Sequence, residues 1–413
     1  MTTGTSAGKI DIAVTGLGLV SAAGIGVEAT WQRLLAGEPT AAKDENLAGL
    51  PVDFSCRVPE FDADAHFGRA LSRRIARFTQ IAMIAAREAV ADAGLDHTSW
   101  DGARVGVVIG NTMGGTEAFE SQHVTLMDKG PSRMSPMVIP LICVNMVAGN
   151  ISIDLGATGP SWVTSTACAS GATAIGTAQD LLRSGACDIV IAGGTEAVLV
   201  PTIIGGFARM GALSKRVEDP ARASRPFDVD RDGFVAGEGA GVLVLERASD
   251  ARARGARTRA LLAGFGASSD AHHPTSPEPE GRGAERAMRA ALAAADIAPH
   301  EVAHVNAHGT STPLNDAAES AMVRRVIGEG AAVTSVKGVL GHTLGAAGAI
   351  EAVCSVLAVE RGEVPPTANL ESQDPAVQLD VVTKQPREMK VPVAVSNSFG
   401  FGGQNAVLVF TSA

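Results

Sequence analysis

Short β-branched runs bounded by polar or glycine-rich turns recur along the chain and read as buried strands. They fall at 10–15, 105–109, 189–192 and 241–246 in the first half, and at 260–264, 303–306, 332–336, 392–397 and 406–410 in the second. Helical periodicity lies between them. Over 74–93, Ile75, Phe78, Ile81, Ala82, Ala85, Ala89 and Val90 recur at helical spacing with Arg and Gln between, and Gly94 follows as a stop. Strands alternating with helices predict an α/β protein with largely parallel sheets.

The two halves echo each other. Cys168 opens the run ASGATAIGTA and His342 opens TLGAAGAIEAV. Helices this rich in Ala and Gly let backbones approach on all sides, which places both at the centre of a duplicated core. Two polar, turn-rich stretches, 215–227 and 270–283, read as linkers.

Composition narrows the function. The 413 residues are 46% hydrophobic and 19% charged, enough for one large domain or two ordinary ones with a sizeable core. A formal charge of −10 with no strongly basic stretch argues against nucleic acid as the main partner. The cysteines at 56, 143, 168, 187 and 354 form no C-x-x-C pair and read as reduced cytoplasmic thiols. The start, MTTGTSAGKI, has no signal-peptide core, and no uncharged apolar run approaches the ~18 residues of a membrane span. With no tyrosine at all, every mechanism that needs a tyrosine acid or base is excluded.

Several motifs carry little. Gly16-Leu17-Gly18 follows a strand, but Ser21 ends the pattern, and Glu38 lies in a Gly-Glu-Pro turn instead of at a strand end, so no dinucleotide site is expected. Residues 4–9, GTSAGK, have the wrong spacing for a P-loop. His304 and His308 lie in a strand-like run, where four residues span roughly 13 Å, too far to share a metal ion. Asp270, His272 and His273 read as a solvated turn.

One set of residues carries chemistry. Cys168 stands at a strand-to-helix junction in STACASG, where the helix dipole and free N–H groups favour the thiolate. His308 ends a strand in VNAHGTST; Lys337 and His342 share the next such junction in SVKGVLGH. NSFGFGG, 397–403, is a Gly/Phe turn whose bare N–H groups suit an oxyanion hole.

With TACASG, NAHGTSTPLND, SVKGVLGH and NSFGFGG in place, and GGTEA at 193–197 beside them, the chain resembles the elongating β-ketoacyl-[acyl carrier protein] synthases of the thiolase superfamily from about residue 12 to 410. The resemblance implies a thiolase-like, duplicated five-layer α/β/α/β/α fold, with halves at 1–258 and 259–413. It implies that Cys168 takes an acyl group from the phosphopantetheine of an acyl carrier protein, with no bound cofactor. The N–H groups of Cys168 and Phe401 would hold the oxyanion, and His308 and His342 the malonyl carbonyl. Lys337 would position and tune beside Glu351, with Asp316 in support; Thr310 and Thr312 would bind the pantetheine arm. Phe401 and Phe399 would gate the nucleophile and Met113 line the acyl pocket. A homodimer, or a heterodimer with a chain-length factor, is implied as well.

Gln404, the triplet Gly338-Val339-Leu340 and Gly211 depart from the commoner pattern. They leave fatty-acid and polyketide pathways both open, with the fatty-acid type favoured. A non-catalytic chain-length factor would lack the cysteine. A degradative thiolase would carry a second cysteine in a Gly-rich loop, and an initiating synthase an Asn where His342 stands. Acyl carrier proteins are acidic, so an acidic enzyme needs a local positive patch. The densest candidate is Arg69, Arg73, Arg74 and Arg77, with Arg209, Lys215 and Arg216 second.

Overall fold

The structure, a computed structural model, describes residues 10–413; the reading of 4–9 lies outside the described residues. The main sheet has twelve strands: two short ones, Gly24–Ile25 and Asp380–Val381, at its margins, and ten that carry the architecture. The ten are β1 (Ile12–Ser21), β2 (Val105–Gly110), β3 (Ser161–Thr164), β4 (Ile189–Glu196), β5 (Gly239–Arg247), β6 (Ala260–Ser269), β7 (His304–Asn306), β8 (Ala332–Thr334), β9 (Val393–Gly400) and β10 (Gln404–Thr411). The first half is ordered β1-β5-β4-β2-β3 and the second β6-β10-β9-β7-β8. In each half the first two pairings are antiparallel and the last two parallel. The same order and the same directions in both halves are the duplication the Ala/Gly runs suggested. Antiparallel pairing of Ile12–Val14 with Ala260–Leu262 joins the halves into one sheet. The expectation of largely parallel pairing is corrected: each half returns its last strand to the centre, which places antiparallel neighbours there.

The helices that position the site are α1 (Ala63–Ser72), α2 (Arg77–Asp92), α3 (Thr116–Lys129), α4 (Met146–Leu155), α5 (Ser170–Arg183), α6 (Pro201–Met210), α7 (Arg282–Ala295), α8 (Pro313–Val326), the single turn α9 (Lys337–Leu340) and α10 (Ala347–Arg361). α2 and α4 cover the outer face of the first half, and α7 and α8 that of the second. α5 and α10 lie between and touch both halves, which completes five layers. A Cβ on Gly171 would stand 2.7 Å from Ala349 N, and one on Gly348 would stand 2.9 Å from Ala172 N. These glycines therefore set the contact between the two central helices. The Gly16-Leu17-Gly18 run lies inside β1, where a Cβ on Gly18 would stand 1.8 Å from Ala85 O, so these glycines serve helix packing.

All nine expected strands are present, several longer than the apolar run alone. β3 was missed because its residues are partly exposed at the sheet edge, with Trp162 40% exposed. The helix expected over 74–93 begins at Arg77, since Ala76 is extended and Arg73 ends α1. Gly94, at φ +64, takes the left-handed turn after it. The two stretches read as linkers pack into the protein instead, the first partly buried and the second against the site. Ser224, Arg225 and Phe227 are buried, and Asp270, Thr275 and Glu278 border its cavity. Among the described residues, no helix is long and apolar enough to cross a membrane.

Candidate active site

Equivalent strands of the two halves deliver the chemistry. β3 leads into Cys168, β7 into His308, and β8 into Lys337 and His342. The turn between β9 and β10 carries Phe401. Ala167, Phe227, Ser311 and Leu344 all adopt positive φ here without being glycine (49°, 66°, 67° and 48°). Such backbone is uncommon and persists where surrounding contacts hold it. At Ala167 those contacts are visible: Ser170 Oγ donates to Ala167 O at 2.6 Å and accepts from Thr166 N at 2.9 Å.

The turn aims Cys168 at the base of a cavity of about 500 Å³. His342 Nε2 lies 3.1 Å from Sγ. The His308 and His342 rings meet edge to face at 5.3 Å, and Phe399 closes on His308 at 5.7 Å. The Phe401 N–H donates to Cys168. A Cβ on Gly400 would stand 2.5 Å from Thr166 O and 3.2 Å from Cys168 N, so only glycine lets this strand run so close to the cysteine.

Behind the two imidazoles Lys337 is buried and ion-paired with Glu351. Its Nζ donates to His308 O at 2.6 Å and stands 3.5 Å from His308 Nδ1. An ammonium facing Nδ1 leaves the imidazole proton on Nε2. His342 Nδ1 is buried without a partner. A buried N–H without an acceptor is the costlier orphan, so His342 also carries its proton on Nε2. Burial first, then the Lys337 charge, holds both histidines well below the ordinary 6.5. At neutral pH the pair therefore offers two neutral N–H donors.

Cys168 differs from the expectation. It precedes α5 by two residues, and burial pushes its thiol up to about 12, against the downward pull of Lys337 and the Phe401 N–H. Desolvation outweighs the helix terminus, and the resting sulfur is a thiol.

The other expected residues divide. Thr310, Thr312, Met113, Phe399 and Phe401 all line the cavity. Thr310 and Thr312 share a hydroxyl hydrogen bond of 2.8 Å. Asp316 lies away from the reacting groups: it accepts from Phe227 N at 2.9 Å and faces Arg231 at 3.5 Å. Arg69, Arg73 and Arg74 are exposed around the end of α1. Arg77 is committed elsewhere, with bonds of 2.6 and 2.9 Å to Glu238. Two acids went unrecognised. Glu319 accepts from His308 N and Gly309 N at 2.8 Å each and from Asn397 at 3.0 Å, fixing the histidine's backbone. Glu196 lies buried behind Met113. Nothing but the spacing from His308 to Glu319 along α8 could have flagged the first. The second was visible only as part of GGTEA. Among the described residues, no group of three or more His, Cys, Asp or Glu is arranged to hold a metal.

Comparison with known proteins decides the family. The model of the β-ketoacyl synthase N-terminal domain matches residues 9–251, and that of the C-terminal domain matches 259–371. The chain belongs to the β-ketoacyl synthase family. This ketosynthase is 44% identical over 407 residues to 3-oxoacyl-[acyl-carrier-protein] synthase 2 of Staphylococcus aureus strain MRSA252, covering 97% of this chain and 98% of that one. It superposes on the ishigamide ketosynthase/chain length factor with a TM-score of 0.92 at 36% identity, covering 98% and 100% of the two chains. The AntDE:AntF structure, a type II polyketide acyl-carrier protein in complex with its ketosynthase, gives 0.90 at 32% identity, with 98% and 99% covered. These likenesses agree with the thiolase-like fold described above.

Proposed function

We propose that this ketosynthase is an elongating β-ketoacyl-[acyl carrier protein] synthase of fatty-acid type. It performs decarboxylative Claisen condensation on Cys168, with His308, His342 and Lys337 completing the catalytic set. The convergence of the Cys168 thiol, two neutral imidazole N–H donors and the Phe401 N–H on one cavity carries the reading. Cys168 attacks the acyl thioester on the carrier's phosphopantetheine, and its proton ends on the departing carrier thiol. The N–H groups of Cys168 and Phe401 hold the oxyanion. The malonyl thioester then enters, and its carbonyl accepts from Nε2–H of His308 and of His342. Loss of CO₂ leaves an enolate stabilised by both donors. Its carbon attacks the acyl carbonyl, and Cys168 leaves as a thiolate that takes up a proton from water to return to the resting thiol, as the chain grows by two carbons. Lys337, held by Glu351, fixes the His308 tautomer. Asp316 serves as an anchor for the loop at 225–231.

The 44% identity to 3-oxoacyl-[acyl-carrier-protein] synthase 2 supports the fatty-acid pathway. The TM-scores of 0.92 and 0.90 against ketosynthases of ishigamide and of a type II polyketide keep the polyketide pathway as the second reading. One experiment separates them and tests Met113. Saturated acyl carriers of graded length, with malonyl carrier, are expected to yield saturated products two carbons longer. Refusal of saturated acyl groups but acceptance of poly-β-keto chains would transfer the enzyme to the second reading. Met113→Phe fills the pocket that a flexible thioether leaves adaptable, and is expected to shift products to shorter chains while short acyl groups still load Cys168. If long and short chains load as in the parent, Met113 is core packing.

The carrier is proposed to dock on Arg69, Arg73 and Arg74; the Glu238 ion pair removes Arg77 from the patch. Charge reversal at Arg73 and Arg74 raises KM for carrier-linked substrates without changing turnover of a small thioester. An unchanged KM would place the dock elsewhere, with Arg209 and Lys215, exposed beside the cavity mouth, as the next candidates. The other subunit is proposed to be a second copy of this chain. α3 has no buried residue, and Phe119, Val124, Met127, Ile139 and Ile153 stand 59, 53, 70, 61 and 79% exposed near the free edge of β3. A chain-length factor is the counterpart under the polyketide reading. The division at 258/259 is supported by the two family models and by the repeated strand order. A cytoplasmic location fits the free cysteines.

A further inference from the structure

Glu196, the last residue of β4, has no exposed surface and lies outside the lining of the active-site cavity. Its carboxylate is nevertheless the most densely bonded acceptor near the site. Oε2 accepts from Thr112 N at 3.1 Å, from Thr112 Oγ1 and from Gly345 N at 3.3 Å. Oε1 accepts from Asn111 Nδ2 at 3.0 Å and from Met113 N at 3.4 Å. These donors belong to two separate segments. Thr112 and Met113 form one wall of the cavity; Leu344, two residues after His342, forms another. The segments meet around this carboxylate. A Cβ on Gly345 would stand 2.6 Å from Glu196 Oε2 and 3.1 Å from Thr112 N, so Gly345 is a position cleared for it.

We propose that Glu196 is a positioning residue that locks the acyl-pocket loop at 111–113 to the segment following His342, so that chain-length selection and malonyl activation depend on one buried carboxylate. The inference rests on the ketosynthase reading above. Burial pushes the Glu196 carboxyl up to about 7 against the pull of the Thr112, Met113 and Gly345 hydrogen bonds, and in its ionised form it accepts from all five donors because both oxygens are acceptors. An amide of the same shape offers one oxygen and turns an NH₂ towards N–H groups that need an acceptor. The two segments then lose their common anchor, and displacements of a fraction of an ångström at a reacting group are felt in rate.

The test uses the full chain, with reactive Cys168 counted by alkylation and mass spectrometry so that rates refer to folded enzyme. The parent must first load acyl groups on Cys168; if it does not, the ketosynthase reading fails, whatever Glu196 does. Given a loading parent, Glu196→Gln is expected to raise KM for long acyl carriers about tenfold more than for short ones. The same variant is expected to slow malonyl decarboxylation about tenfold per reactive cysteine. Thr112→Val removes one donor with little change of shape and, as a second variant, is expected to move both readouts in the same direction by about threefold. A loss that is uniform over chain length, or a chain-length shift with decarboxylation unchanged in both variants, would overturn the proposal.

Discussion

Condensation disappears in Cys168→Ala, because its thiol is the only one among the described residues that line the cavity, and a thiol attacks a thioester far more readily than the neighbouring hydroxyls. The other cysteines give no substitute. Cys56, Cys187 and Cys354 are buried and none of them, nor Cys143, borders the cavity. Cys168→Gln gives a different outcome. Its side-chain carbonyl occupies the place of the acyl-enzyme carbonyl, accepting from the N–H groups of residues 168 and 401. The malonyl site then sees an enzyme that resembles its acylated form, and decarboxylation continues or rises while condensation is lost. Release of CO₂ from malonyl carrier, followed beside β-ketoacyl formation, separates the two variants. Condensation by Cys168→Ala at even a few per cent of the parent rate would remove Cys168 from the mechanism.

The second large effect is at the histidines. His308→Ala and His342→Ala each lose malonyl decarboxylation by about 10²–10³, the usual cost of deleting one preorganised donor to a developing oxyanion. Loading of Cys168 is expected to suffer less, because the proposed mechanism gives that oxyanion to backbone N–H groups. The asymmetry follows from the protonation states. Both imidazoles are held neutral by burial and by Lys337, so each is a donor whose strength does not depend on taking up a proton near neutral pH. Single-turnover loading from an acyl carrier and CO₂ release from malonyl carrier, measured on each variant, make the comparison. Equal loss of both steps would sink the division of labour. Of the two, His342→Ala affects loading more, since its Nε2 stands 3.1 Å from the sulfur.

Much of this was legible in the sequence, for a physical reason. Strands buried on both faces are mostly apolar, and the apolar starts of β2 and β4 were legible from such runs. β3 was not, because an edge strand with Trp162 half in solvent has no such constraint. Pairing direction was misjudged, since strand–helix alternation does not reveal that β5 and β10 return to the centre. The motifs put Cys168, His308, Lys337 and His342 at strand ends, and strand ends of one sheet edge converge. What the motifs could not give was charge state. The helix terminus beside Cys168 suggested a thiolate, yet the thiol stands up to about 12 because the residue is buried and desolvation dominates. The ion pair of Arg77 could not be read for a related reason: its partner Glu238 is distant in sequence and invisible to a count of charges. Glu319 and Glu196 were overlooked because much of their bonding goes to backbone N–H groups, which leave no side-chain signature, and their side-chain partners are distant in sequence.

The central claim is that chain growth passes through a thioester on Cys168. Its most direct test is peptide mapping by mass spectrometry after the enzyme is mixed with an acyl carrier alone, and again after malonyl carrier is added. The account predicts one acyl group per chain on the peptide that contains Cys168, and its discharge into a β-ketoacyl carrier two carbons longer when malonyl carrier is added. Product formed while Cys168 stays unmodified, or an acyl group found on Cys143 or another cysteine and discharged from there, would contradict it.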